Sequence, residues 1–244
     1  MSKKQKIRVV TLGTMPKDLD LSKVITWSSS IFEVIDTIDN FTITSNADGE
    51  DWQFTDDNLS KNLPNNEGED FLVVLTNVPL EHNWYTRRIQ ENKVVFSFNE
   101  ISDYLRFNNI PLENVVFRLL YAYVLVFKEN KGRIPSCEEI TNFTHDETKG
   151  CIYDMNGLKY DIIHSCESPI ICSTCAQRLA SSGVSTSQVD RAQKEIKHIR
   201  KDLFFQISDW ISRHPILSLA LATLWAFLIA LLTEYVAKEL WSNV

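Results

Sequence analysis

Residues 71–76 read FLVVLT, six residues without a charge, four of them β-branched or aromatic. A run this short and this apolar reads as a buried strand. Two stretches of the same kind lie on either side, IRVVTL at 7–12 and VVFSF at 94–98. The patchier segment Phe41–Phe54 suggests an edge strand or a hairpin carrying the ADGED turn at 47–51. Next, NNIPLENVVFRLLYAYVLVF at 108–127 predicts a helix. Pro111 suits a first turn and Glu113 suits the positive helix N-terminus. From Val115 to Phe127 the helix is apolar almost all round, which predicts burial. KENKGRIP at 128–135 ends it with Gly132 and Pro135. Strands and helices together give a mixed α/β domain over residues 1–180, a mixed sheet with helices.

Composition narrows the function classes. The 244 residues are 44% apolar and carry a formal charge of -7, with a pI near 5.3, so no direct nucleic-acid partner is expected. Seven glycines and seven prolines argue against long disordered tracts. MSKKQKIRVVTLGTMPKD, at the start, lacks the long apolar centre of a secretory signal. A reducing cytoplasm is therefore expected, and there clustered thiols favour a metal over disulfides.

Four of the five cysteines fall in HDETKGCIYDMNGLKYDIIHSCESPIICSTC, residues 145–175. Cys172 and Cys175 form a C-x-x-C pair whose thiolates can face one ion, and Cys151 lies 21 residues upstream of Cys172. His145, Asp146, His164, Cys166 and Cys137 all compete for a fourth position. No strand-to-helix context of the thioredoxin type precedes the pair.

Two segments follow the domain. STSQVDRAQKEIKHIRKDLFFQISDWISRH, 185–214, spaces Val189, Ala192, Ile196, Ile199 and Leu203 at intervals of 3, 4, 3 and 4. This predicts an amphipathic helix, packed in a coiled coil, on the domain or on a membrane surface. Ser185–Ser187 is placed to cap it. From Pro215 to Thr233 the chain has no charge, which predicts a transmembrane helix over 215–237. Trp210, Trp225, Tyr235 and Trp241 include aromatic anchors for its ends. Arg200, Lys201 and Arg213 precede the span and Lys238 alone follows it, so the expected protein is single-pass with a cytoplasmic N-terminal domain.

The cysteine spacings resemble those of the archaemetzincins, zinc metallopeptidases with the pattern HExxHxxGxxHCx4CxMx17CxxC. His145 stands six residues before Cys151, as that family's third histidine stands before its cysteine. Cys172 and Cys175 match the final pair, with one residue more between Cys151 and Cys172. Met155 is displaced from the family position, and AQRL after Cys175 is similar to the family's end. FLVVLTNVPLEHNW and KVVFSF resemble the strands before its catalytic helix. The resemblance implies a metzincin-like fold over residues 70 to 180.

Departures from the pattern bear on chemistry. No HExxH occurs in the chain. Reading back from His145, Pro135 and Glu139 fall where two histidines belong and Ser136 where the glutamate belongs; with a gap, LLYAYVLVF supplies no ligand. Asp146 replaces the first structural cysteine. The resemblance thus implies that the catalytic metal is lost and a structural Zn²⁺ is kept, with His145 joining Cys151, Cys172 and Cys175. Other features are weaker: EHNWYTRR at 81–88 gathers His82, Trp84, Arg87 and Arg88 as an anion or aromatic site, Ser97 lacks the glycines of a nucleophile elbow, and no phosphate loop occurs.

The reading is a membrane-anchored, non-catalytic zinc domain that works as a partner-binding sensor or effector, with bacterial defence as a plausible setting. A protein partner or a second copy would dock through residues 185–240. Two alternatives stand beside it: a divergent metal-dependent peptidase using His145, Glu147, Asp154 or His164, and a membrane-disrupting effector.

Overall fold

The computed structural model describes residues 3–90, 92–154 and 157–242, with backbone alone for 239–242. Met155, and the side chain of Trp241, lie outside the described residues. Two compact units divide at Arg200 and Lys201.

The first unit opens with β1 (Gln5–Leu12), α1 (Leu21–Thr26), β2 (Phe32–Val34), β3 (Asp39–Phe41), α2 (Asp56–Asn62) and β4 (Phe71–Thr76). It continues through β5 (Thr86–Ile89), β6 (Lys93–Ser97), α3 (Ile101–Phe107) and α4 (Glu113–Glu129). The strand order is β2-β1-β4-β6-β5, with β3 also on β1. β2 pairs with Gln5–Ile7 and β3 with Val10–Leu12, so one side of β1 is covered by two short strands in succession. All these pairs are parallel except β5 with β6, which run antiparallel from Thr86↔Phe96 to Ile89↔Lys93.

The pleat explains why FLVVLT is apolar throughout. Alternate residues of a strand face opposite sides. Phe71, Val73 and Leu75 enter one core with Ile7, Val9, Val94 and Phe96, and α4 fills that side. Leu72 and Val74 enter the other with Val10, Leu12, Val95 and Leu59 of α2. A sheet covered on both faces leaves no solvent side for polar residues. α4 is buried over 15 consecutive residues, Glu113 to Phe127. Glu113 is held in place as an acceptor, taking the Asp20 amide at 2.6 Å.

The hairpin expected within 41–54 is not formed. Phe41 ends a parallel strand, and Phe54 makes a parallel bridge with Leu80. Asp48 does not shape a turn between strands. Its carboxylate accepts from the Thr55 amide at 3.1 Å and hydroxyl at 2.8 Å, and Thr55 in turn caps α2.

After α4 come α5 (Ile162–Glu167), α6 (Ser173–Ser181) and α7 (Thr186–Glu195), then a 3-10 turn at 196–198. The single helix expected over 185–214 is therefore broken. The apolar stripe is real, but Ile199 is extended, and Val189, Ala192, Ile196 and Ile199 all join the domain core. They cover the first unit and leave no coiled-coil seam along this stripe. Glu195 adds polar ties: its carboxylate accepts from the Ser29 hydroxyl at 2.7 Å, the Ser30 amide at 2.9 Å and the Tyr121 hydroxyl at 2.7 Å. The domain thus reaches Arg200, twenty residues beyond the expected limit of 180.

The second unit holds α8 (Leu203–Arg213) and α9 (Pro215–Ser242). Pro215 opens α9, where a missing N–H costs nothing. Leu203, Phe204, Ile207, Trp210 and Ile211 of α8 are exposed and fall on one helical stripe. In α9, Pro215–Lys238 is long and apolar enough to cross a membrane: its 24 residues span about 36 Å, against a hydrocarbon core of about 30 Å. None of its apolar window is buried.

Candidate metal centre and the cleft beside it

Three separate segments deliver the expected ligands to one point. His145 enters on a bridge to Asp154, its amide donating to the Tyr153 carbonyl at 3.1 Å. Cys151 follows a turn at Gly150, whose φ of +85° favours glycine. Around that turn the Ile170 amide donates to the Gly150 carbonyl, and the Ile152 amide to that of Ile170, each at 2.9 Å. This brings Cys151 beside the start of α6. There Cys172 is the cap residue, its Sγ accepting from the Cys175 amide at 3.5 Å, and Cys175 lies in the first turn.

The Sγ atoms of Cys151, Cys172 and Cys175 and a ring nitrogen of His145 all lie within 4.8 Å of one another. Cys151 Sγ is 3.9 Å from Cys175 Sγ, and Cys172 Sγ is 3.5 Å from His145 Nε2. Zn–S bonds of about 2.3 Å and a Zn–N bond of about 2.05 Å set tetrahedral edges of about 3.8 Å for S–S and about 3.6 Å for S–N. These two separations match those edges, while the set as a whole spreads over 4.8 Å, and all the cysteines are free of disulfides. His145 Nδ1 is buried without an aligned hydrogen-bond partner, and the Glu147 carboxylate stands 3.3 Å from it. A metal-bound imidazole carries its proton on the other nitrogen and offers it to such a carboxylate, so the arrangement fits a ligand joined through Nε2.

Electrostatics separate Cys151 and Cys175 from Cys166. The hydrogen bond between Cys151 and Cys175 holds the Cys151 thiol well below its usual range, and the same contact pushes Cys175 up. Two close thiols sharing one proton behave this way, and a cation releases that proton. Cys166 is different: burial pushes its thiol up to about 12.

The competing fourth ligands are elsewhere. Cys166 is buried against α4, where its carbonyl accepts from Asn114 at 2.8 Å. His164 lies 3.8 Å from Asp161, and Cys137 Sγ accepts from the Arg88 amide at 3.1 Å. Asp146 is exposed.

A cleft of about 340 Å³ opens between β5 and α4 and is closed by residues 137–154. From the 81–88 stretch, Trp84, Arg87 and Arg88 line it; His82 does not. Arg87 is already engaged by Asp56 (Nε to Oδ1 2.7 Å) and by Glu81 at 3.6 Å. Arg88 lies over the Phe143 ring at 4.8 Å and donates to Thr141 at 3.3 Å. Arg118 of α4, at 3% exposure, gives Nη2 to the Asp154 carbonyl at 3.1 Å, while Nε has no acceptor. Burial opposes the Arg118 charge, but Tyr85, Cys166 and Asp154 outweigh it and keep the guanidinium charged. The sequence carried a signal for Arg118 that spacing motifs pass over: it is the lone charge in the apolar run from Val115 to Phe127.

No family model and no curated protein matches the chain. Among solved structures, archaemetzincin from Methanopyrus kandleri is similar. It covers 73% of this chain and 95% of its own, at 17% identity and a TM-score of 0.43. The α4 residues lining the cleft, Arg118, Leu119, Ala122, Tyr123 and Val126, include no imidazole, carboxylate or thiol. Of the groups named for a divergent peptidase, Asp154 lines the cleft, Glu147 and His145 stand at the cysteine cluster, and His164 belongs to neither.

Proposed function

We propose that this chain is a membrane-tethered α/β domain clipped by one structural zinc, and that it acts by binding a partner rather than by hydrolysis. The observation that carries the metal reading is the set of four donors within 4.8 Å of one another, two pairs of them at tetrahedral edge lengths. His145, Cys151, Cys172 and Cys175 would fill the whole first shell with protein atoms, and a filled shell is structural. Zinc would tie the 145–154 segment to α6 and supply folding free energy. Its shell leaves no position for a water, and the cleft-facing residues of α4 offer no set of ligands for a second, hydrolytic ion.

The tether reading rests on α8 and α9. The exposed stripe of α8 suits the bilayer interface, and the apolar length of α9 suits a span. The excess of Arg200, Lys201 and Arg213 over Lys238 favours a cytoplasmic first unit. In that place the domain is a sensor or effector module whose partner is a protein or a second copy.

Elemental analysis of the full chain in detergent should give about one zinc per chain, and Cys172→Ser should lower it. A peptide-library digest by the same zinc-loaded protein should show no cleavage. Cleavage that disappears with chelator and in His145→Ala or Glu147→Ala would establish a peptidase instead. A folded parent chain without zinc would remove the clip.

A further inference from the structure

We propose that the cleft between β5 and α4 is a binding site for a small organic carboxylate with an apolar body. Arg118 and Arg88 would take its carboxylate.

Two buried polar groups of the cleft lack a hydrogen-bond partner. A guanidinium has five N–H groups, and a buried one without acceptors is costly. Arg118 is 3% exposed and is met by the Asp154 carbonyl and the Tyr85 side chain, yet its Nε has no aligned acceptor. The Thr86 hydroxyl, on the opposite wall, is likewise buried without one. A second lining cation, Arg88, donates to the Thr141 hydroxyl and lies over the Phe143 ring, whereas Arg87 is committed to Asp56 and Glu81. Asp154 is the one carboxylate among the lining residues, so Arg88 and Arg118 leave the wall net positive after Asp154 is counted. An anion supplies the missing acceptors and the missing charge together, and Arg is the side chain best shaped for a carboxylate.

The rest of the wall decides what the carboxylate is attached to. Phe143, Tyr153, Ile152 and Val126 present apolar surface, and 340 Å³ lies at the small end of ligand cavities. That size fits one ring or a short branched chain. Inorganic phosphate would satisfy the arginines but leave the apolar wall wet. The site uses none of the four proposed zinc ligands, so it stands or falls apart from the metal reading.

The test is calorimetric titration of the full zinc-loaded chain, in a neutral maltoside detergent, with phenylacetate and N-acetylphenylalanine. Each is paired with its primary amide, and inorganic phosphate is run alongside. We expect saturable binding of at least one carboxylate, with its amide and phosphate about tenfold weaker or more. Arg88→Gln should lose that preference while the melting temperature stays within a few degrees. Arg118→Lys, which keeps the charge but not the fork, should weaken the carboxylate without abolishing it. Equal binding of acid and amide, tighter binding of phosphate, unchanged binding by Arg88→Gln, or no binding of either carboxylate overturns the proposal.

Discussion

Replacing Ile196 with alanine asks whether the chain after residue 185 is part of the first unit. Ile196 is fully buried, beside Val189, Ala192 and Ile199, in the core that also contains α4 and the strands. Removing a buried isoleucine side chain to Cβ costs roughly 2–5 kcal/mol. For a domain of about 200 residues, where about 1 kcal/mol shifts Tm by about 2–4 °C, the loss is roughly 4–20 °C. Ile140, fully exposed, is the control, and its alanine variant should stay within about 0.5 kcal/mol. Ending the chain at 180 removes more. Burial of Val189, Ile196 and Ile199 contributes about 1.5–3 kcal/mol each, a total comparable with the roughly 5–15 kcal/mol that holds such a domain together. Residues 1–200 should therefore melt cooperatively by near-ultraviolet circular dichroism, and residues 1–180 should not. An Ile196→Ala variant indistinguishable from Ile140→Ala, or a 1–180 fragment as stable as 1–200, would refute the assignment of α7 to the core.

Two further outcomes follow from the same structure. Full-length protein should stay in the pellet after alkaline carbonate extraction, while residues 1–200 remain in the supernatant; full-length protein in the supernatant means α9 does not span. Burial alone would raise the Glu195 carboxyl, but hydrogen bonds from Ser30, Ser29 and Tyr121 outweigh it and hold the group below its ordinary range. A depressed carboxyl stabilises the fold above its unfolded value, about 4.3, and the stabilisation fades as pH falls through the lower folded value. Glu195→Gln should accordingly lower the midpoint of urea denaturation near neutral pH, with a gap from the parent that narrows below about pH 4; a gap that is constant with pH contradicts the network.

What the sequence disclosed depended on how many residues carried each signal. The central strands were legible because six-residue apolar runs have few other places to go, and β4 has the limits expected for Phe71–Thr76. β2 and β3 have three residues each, too short for a period, and β5 is TRRI, a polar edge strand whose pairing is decided by β6. The stripe at 189–203 was correctly read as apolar on one side but wrongly extended as one helix. Spacings of 3 and 4 are also met by a helix, a 3-10 turn and one extended residue packed on the same core. In the candidate metal centre, the C-x-x-C pair declared itself by spacing, and His145 was named over His164 and Cys166 on the family resemblance alone; the bridges at His145 and Cys151 bring those segments together. The cleft was legible only in part, through Trp84, Arg87 and Arg88. Its buried cation comes from a helix that reads as plain core.

X-ray absorption at the zinc edge of the purified full-length chain tests the proposed closed clip most directly. A closed clip gives one zinc with three sulfur neighbours at about 2.3 Å and one imidazole nitrogen at about 2.0–2.1 Å, and no oxygen. In His145→Ala the nitrogen shell should be lost while the sulfurs remain. A coordinated oxygen in the parent, fewer than three sulfurs, or a nitrogen shell that survives in His145→Ala would contradict it.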